Sequence, residues 1–221
     1  MDFPQETRDL IYREKDRIIE MHGNSDPIVC LSRLTTALRS EYDFKHSLIS
    51  GCYAPYAHER IEKNIGGYNC TSLIPDMYLL CEAFAGSPKI KYFENFEDFK
   101  NGKIGSSGSG GHYAVCFEHK GQKYITDPFY KVFGRVTEET ENSITVLGLK
   151  GFNNKTRSFM SCRDVSVAEF ARLMEDMKDP ATSLEILVCT QKINSGKKIR
   201  GIECDISISY DAEANCITSR L

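Results

Sequence analysis

The fragment NIGGYNCTSLIPDMYLL sets a thiol, Cys70, between a glycine-rich turn and an apolar stretch of helical period. A cysteine at such a junction sits among backbone N–H groups that a helix start leaves without acceptors, and at the positive end of the helix dipole. Both favour thiolate over thiol. Cys70 is therefore the candidate nucleophile. Pro75 allows the helix to begin at Ser72 instead, with Pro75 and Asp76 in its first turn, which weakens the share of the dipole that Cys70 receives. The same residues also describe an ordinary loop with a packed thiol. A nucleophilic thiol needs a base, and the histidines are His22, His46, His58, His112 and His119. His22 and His46 lie in polar stretches, His58 in an irregular region and His119 at a turn. His112 opens a strand directly behind a Gly/Ser run, where a side chain can face a cleft. If Lys120 and Gly121 centre a hairpin turn, His119 pairs with Gln122, Glu118 with Lys123, Cys116 with Ile125 and Ala114 with Asp127. Asp127 then shares a face with His112 as its diagonal neighbour, at roughly 7–8 Å between backbones. Any even-length loop keeps this relation and an odd one reverses it. In that arrangement Asp127 holds the tautomer of the imidazole and stabilises its cation, leaving the other ring nitrogen for Cys70. Asp127-Pro128 reads equally as a strand-ending turn.

The elements that must bring these residues together are helical first and extended later. Leu10, Ile11, Ile18, Ile19 and Met21 recur at helical spacing before Gly23, and Asp26-Pro27 supplies an N-cap and a first-turn proline for a second helix lined by Ile28, Leu31, Leu34, Thr35 and Leu38. Residues 42–64 are irregular, with a short helix near Ala57 to Lys63. From Cys70 to Gly86 the stripe Leu73, Met77, Leu80, Cys81 and Phe84 marks a buried helix. Residues 101–111, NGKIGSSGSGG, read as a flexible loop, its Gly/Ser part at 105–111 either a lid beside His112 or a plain connector. Beyond them the period is two: a hairpin over HYAVCFEHKGQKYITDPFY, then strands at 132–136, 144–149, 184–191 and 199–210. Ser166 and Glu169 form a capping box for one helix among them. Helices followed by mainly antiparallel strands predict an α+β fold, a single domain over 1–221 with a helical lobe of about 1–100 and a β-rich lobe of about 101–221.

Composition narrows the partners. The chain has 221 residues and a formal net charge of -3, with 28 Lys+Arg set among 31 Asp+Glu, so it carries no basic footprint for nucleic acid or an anionic membrane. No apolar run approaches the ~20 residues of a membrane span, and the charged N-terminus lacks a secretory core, which predicts a cytoplasmic protein. Nine cysteines, irregularly spaced among apolar residues, suit reduced thiols rather than a disulfide framework. There is no CxxC, HxxxH or HExxH, so no metal site is expected. The Gly/Ser run lacks the ending of a phosphate loop. Lys197, Lys198 and Arg200 read as a coenzyme-phosphate contact or as solvated surface.

A cysteine after a Gly-rich turn, a histidine opening a strand and an aspartate on the next strand resemble the transglutaminase-like branch of the papain-like superfamily, which includes the arylamine N-acetyltransferases. GGYNC, with IEKN just upstream, is similar to the turn carrying the acetyltransferase nucleophile. The separations, 42 residues from Cys70 to His112 and 15 from His112 to Asp127, suit the same arrangement. The resemblance covers roughly residues 58–130. It implies a papain-like fold, a Cys-His-Asp triad, an acyl-enzyme on Cys70, and transfer of the acyl group to an amine or to water. Cys70 or Thr71 would supply oxyanion N–H groups, with Tyr53 or Tyr56 as hydroxyl donors. The substrate would be a small-molecule or peptide amide or thioester, with acyl-CoA as a candidate donor and no required cofactor. A cysteine peptidase with the same triad, and a non-catalytic binding protein that keeps the fold, are the alternatives.

Overall fold

The computed structural model describes residues 2–22, 26–40, 56–62, 70–98, 103–106, 111–128, 132–149, 156–177, 207–211 and 216–220. It begins with α1 (Gln5–His22) and α2 (Pro27–Ser40). Asp26 caps α2, its Oδ1 accepting the N–H groups of Ile28 at 2.9 Å and Val29 at 3.3 Å, and Pro27 occupies a position where no N–H is needed. A short α3 (Ala57–Glu62) precedes α4 (Cys70–Ala85). α4 starts at Cys70 rather than Ser72, with Pro75 inside it. The bond that Pro75 cannot donate would have gone to the carbonyl of Thr71, still in the first turn, where its loss is tolerated. Gly86, at φ +77°, ends the helix, and its N–H donates to the carbonyls of Cys81 and Glu82 at 3.1 Å. α4 is the central helix: α1, α2 and the sheet pack around it, and every residue from Thr71 to Met77 is buried.

The helical part stops at Ala85, not near residue 100. KIKYF forms β1 (Lys89–Phe93) and NFED forms β2 (Asn95–Asp98). Two lysines mask the strand period here, yet Lys91 is only 12% exposed because its ammonium is held by Asp164 at 2.5 Å and Glu139 at 3.2 Å. The stretch read as one loop over 101–111 contains β3 (Lys103–Ser106). β4 (His112–His119), β5 (Gln122–Asp127), β6 (Val132–Glu139) and β7 (Ser143–Gly148) follow where alternation predicts strands. The short β8 (Thr156–Met160) and β9 (Arg163–Val165) escaped the sequence reading. In α5 (Val167–Asp176) the Ser166 hydroxyl accepts from the N–H of Glu169 at 3.1 Å. The Glu169 carboxylate does not complete the box; it pairs with Arg163 at 2.9 Å. β10 (Ser207–Asp211) and β11 (Cys216–Arg220) form a separate antiparallel pair. The strand expected at 184–191 and most of that at 199–210 lie outside the described residues.

Among the described residues, nine strands form one antiparallel sheet in the order β3-β2-β8-β7-β6-β5-β4-β1-β9. Only Glu94 separates β1 from β2. β1 pairs with β4 and β9, while β2 pairs with β3 and β8, so the segment 89–98 has neighbours along both edges and the sheet curls back on itself. Phe93 and Phe159 meet across the inside, ring centroids 4.6 Å apart. Alternation then gives each strand an inner and an outer face. Phe93, Ala114, Ile125, Val132, Ile144, Val146, Phe159 and Cys162 fill the inside. Ile90, Val115, Phe117 and Phe133 face outward and share a second core with Leu31, Met77, Leu80 and Phe170 of the helices. The architecture is α+β, a curled antiparallel sheet with its helices packed outside.

Candidate active site

His112 and Asp127 meet. The turn of the β4–β5 hairpin is Lys120-Gly121, with φ +49° and +70°, the two-residue form whose twist suits the flanking strands. It fixes the register expected from the sequence: His119 opposite Gln122, Glu118 opposite Lys123 and Cys116 opposite Ile125. The ladder continued by one pair sets Asp127 beside Ala114 and diagonal to His112. His112 Nε2 lies 2.9 Å from Asp127 Oδ2, and both residues are 1% exposed. A polar pair this deep persists because each partner satisfies the other, and a contact to a carboxylate is of the stronger, charge-assisted kind.

Two features of the chain aim the histidine inward. The ladder between β1–β2 and β3–β4 is interrupted at Glu94: Phe93 pairs with His112 and Asn95 with Ser106. Residues 107–110, the centre of the lid-or-connector segment, lie outside the described residues. Gly111, at φ +75°, returns the chain to β4, and a Cβ there would fall 2.1 Å from the hydroxyl of Tyr92 and 2.3 Å from its ring, so only glycine fits. On the inner face the ring of Phe93 then packs on the imidazole, centroids 4.9 Å apart and planes inclined by 63°.

Cys70 is the first residue of α4, a place in reach of the dipole; its side chain lies outside the described residues. The backbone nevertheless fixes its level. Only Gly86, Ser87 and Pro88 separate α4 from β1, whose first residue Lys89 pairs with Cys116, so α4 ends at the Cys116 level of β4. Because α4 packs along β4, the two run the same way. Cys70 stands about 16 Å before Cys81 along the helix, and His112 about 13 Å before Cys116 along the strand. The start of α4 and the start of β4 therefore share one end of the sheet. They do not share a face: α4 lies outside, and the histidine and aspartate look inside.

Thr71, in the first turn of α4, is 6% exposed, and Ser72 and Asp76 farther along are buried more deeply still. Tyr53 lies outside the described residues. Tyr56 belongs to the core, 1% exposed against Phe3, with burial pushing its phenol well up. His58 Nδ1 bonds to the Thr7 hydroxyl at 2.7 Å and ties α3 to α1. His119, expected at a turn surface, is half-buried, and its Nε2 finds no hydrogen-bond partner. His46, the side chain of His22, and the cluster Lys197, Lys198 and Arg200 are outside the described residues. Sequence reasoning missed Phe93 and Tyr92, since a contact from β1 is invisible until β1 is recognised as a strand.

No protein-family model matches the chain, and no curated protein sequence matches it.

Proposed function

We propose that the chain is a cysteine-dependent acyltransferase or amidase of papain-like, transglutaminase-like fold, with Cys70 as nucleophile, His112 as general base and Asp127 as the residue that orients it. The observation that carries this reading is the buried contact between His112 Nε2 and Asp127 Oδ2, at the end of the sheet where α4 begins. Because Asp127 takes Nε2, the nitrogen that exchanges a proton with the thiol is Nδ1. The thiol proton passes to Nδ1, and sulfur attacks the carbonyl carbon of an amide or thioester. The new C–S bond turns the carbonyl oxygen into an oxyanion, which the first-turn N–H groups of Cys70 and Thr71 stabilise, a contribution of about 3–4 kcal/mol for one donor. Collapse expels the amine or thiol, which leaves with the proton from His112. An amine or water then gives its proton to His112, attacks the acyl-enzyme and restores the thiol. No cofactor is required, and acyl-CoA is a candidate donor. The cytoplasm suits thiols kept reduced, and Cys30, Cys81, Cys116 and Cys162 are free.

A second reading, a binding protein that keeps the fold without turnover, draws support from the burial of both partners on the inner face, away from α4. Iodoacetamide separates the two. At pH 6 to 7 a catalytic thiol is modified at Cys70 ahead of every other cysteine, and His112→Gln abolishes that preference. Equal, slow modification of all nine thiols refutes the enzymatic reading. An acyl adduct on Cys70 after incubation with acetyl-CoA then favours transfer over a peptidase.

A further inference from the structure

Tyr92 of β1 lies against the entry to β4. It is the direct cross-strand partner of Tyr113, which makes Gly111, two residues earlier, its diagonal neighbour on the outer face. Gly111 has φ +75°, and the space a Cβ would take there is filled by the hydroxyl, Cζ and Cε2 of Tyr92. A glycine in an extended segment leaves its backbone bare and gives the chain more freedom than any other residue. An aromatic ring laid against it from the adjacent strand offsets both effects. The ring is confined in turn: Tyr113 of β4 stands beside it with centroids 5.2 Å apart, and the Arg163 guanidinium of β9 lies 5.2 Å from its centroid while bonding Glu169 of α5 at 2.9 Å.

The residue after Gly111 is His112, whose side chain leaves the strand on the opposite, inner face. A drift of the backbone at Gly111 therefore moves the imidazole relative to Asp127, whose Oδ2 lies 2.9 Å from Nε2. We propose that Tyr92 is a positioning residue: its ring, set against Gly111 on the outer face, fixes the backbone that brings His112 to Asp127 on the inner face. As a contribution to thiol chemistry this rests on the proposed Cys70–His112 reading; as a statement about the His112–Asp127 contact it does not.

The experiment uses the full chain with isotope-labelled histidine and follows by NMR the Nε2–H signal of His112 and its exchange with water; iodoacetamide reaction at Cys70 is measured in parallel. Tyr92→Val keeps a strand-forming residue too short to reach Gly111, and Tyr92→Phe keeps the ring. Tyr92→Val should speed exchange of the Nε2 proton by about two- to tenfold, the equilibrium counterpart of one lost aromatic contact. Tyr92→Phe should stay close to the parent, and the backbone amides of β7, across the curl, should not change. Gly111→Ala should also open the contact, by collision with the ring, and adding Tyr92→Val should restore part of the protection because the collision partner is gone. Unchanged exchange in a folded Tyr92→Val protein overturns the proposal, as does an equal acceleration along β7 or a Gly111→Ala effect that Tyr92→Val leaves untouched. If Tyr92→Val does not fold, Tyr92→Leu takes its place under the same outcomes. Accelerated Nε2–H exchange beside a Cys70 that is unreactive even in the parent keeps the positioning role and discards the catalytic reading; unmoved exchange beside a selectively alkylated Cys70 does the reverse.

Discussion

Replacing Asp127 by asparagine tests the site most directly, because the change is nearly isosteric while it removes the charge and puts an NH2 donor in place of one acceptor oxygen. Both partners are 1% exposed and 2.9 Å apart, so solvent does little to screen the pair. A hydrogen bond between charged groups is worth about 1.5–3 kcal/mol. Asp127→Asn should therefore cut the population of the thiolate–imidazolium pair, and with it the alkylation rate of Cys70 near pH 7, by about ten- to hundredfold. The loss of a charge-assisted hydrogen bond should also lower unfolding stability by about 1–3 kcal/mol. The rate is read by mass spectrometry of alkylated peptides, and the stability by urea denaturation. Cys81 and Cys162 serve as internal references, since burial pushes both thiols up, Cys162 to about 11, and holds them inert. A folded Asp127→Asn protein whose Cys70 reacts within twofold of the parent rate would refute the reasoning.

Those same buried thiols predict alkaline instability. Their protonated forms are favoured in the folded chain, so the unfolded chain loses its protons first, above the ordinary thiol value of 9.0, and stability falls as pH rises from there toward about 11. The slope should approach about 1.4 kcal/mol per pH unit for each thiol, and Cys162→Ala should flatten it in thermal melts between pH 8 and 10; an unchanged slope contradicts the assignment. Gly111→Ala should cost at least about 1–3 kcal/mol, from its positive φ and the collision with Tyr92, and should slow Cys70 alkylation by displacing His112. Urea titration checks the first effect and peptide mapping the second. Thr35 of α2 and Thr126 of β5 share a buried hydroxyl contact at 2.7 Å. Thr35→Val should destabilise by about 1–3 kcal/mol, and adding Thr126→Val should recover part of that loss; strict additivity in the double-mutant cycle would show the contact to be energetically silent.

Much of the site was legible because hairpin geometry is local. Lys120-Gly121 admits one two-residue turn, and from it the face shared by His112 and Asp127 follows by counting. Helix ends were equally readable where a cap carries the signal, as at Asp26, Ser166 and Gly86. What sequence alone could not give were strands whose pattern is broken by charge or brevity. Lys89 and Lys91 hide β1, because the carboxylates that make Lys91 tolerable inside come from Glu139 and Asp164, far along the chain. With β1 hidden, neither the closure of the sheet nor the contact of Phe93 with His112 could be anticipated. The separation of faces between α4 and the His112–Asp127 pair is likewise a product of the curl, which no local window contains.

That curl also implies an order of assembly. Apart from β1–β4, the ladders along β4 to β8 join neighbours in sequence, and such hairpins zip within about 1–10 μs. The ladder that seals the ring, Ile90 with Val165 and Asn95 with Met160, joins partners far apart in the chain and carries the greater entropic penalty of loop formation. Imidazole and carboxylate are thus brought within reach of each other while water still bathes them. Their desolvation comes last, when β8 swings Phe159 over Phe93, so a chain halted after β7 would hold the right partners in the wrong medium.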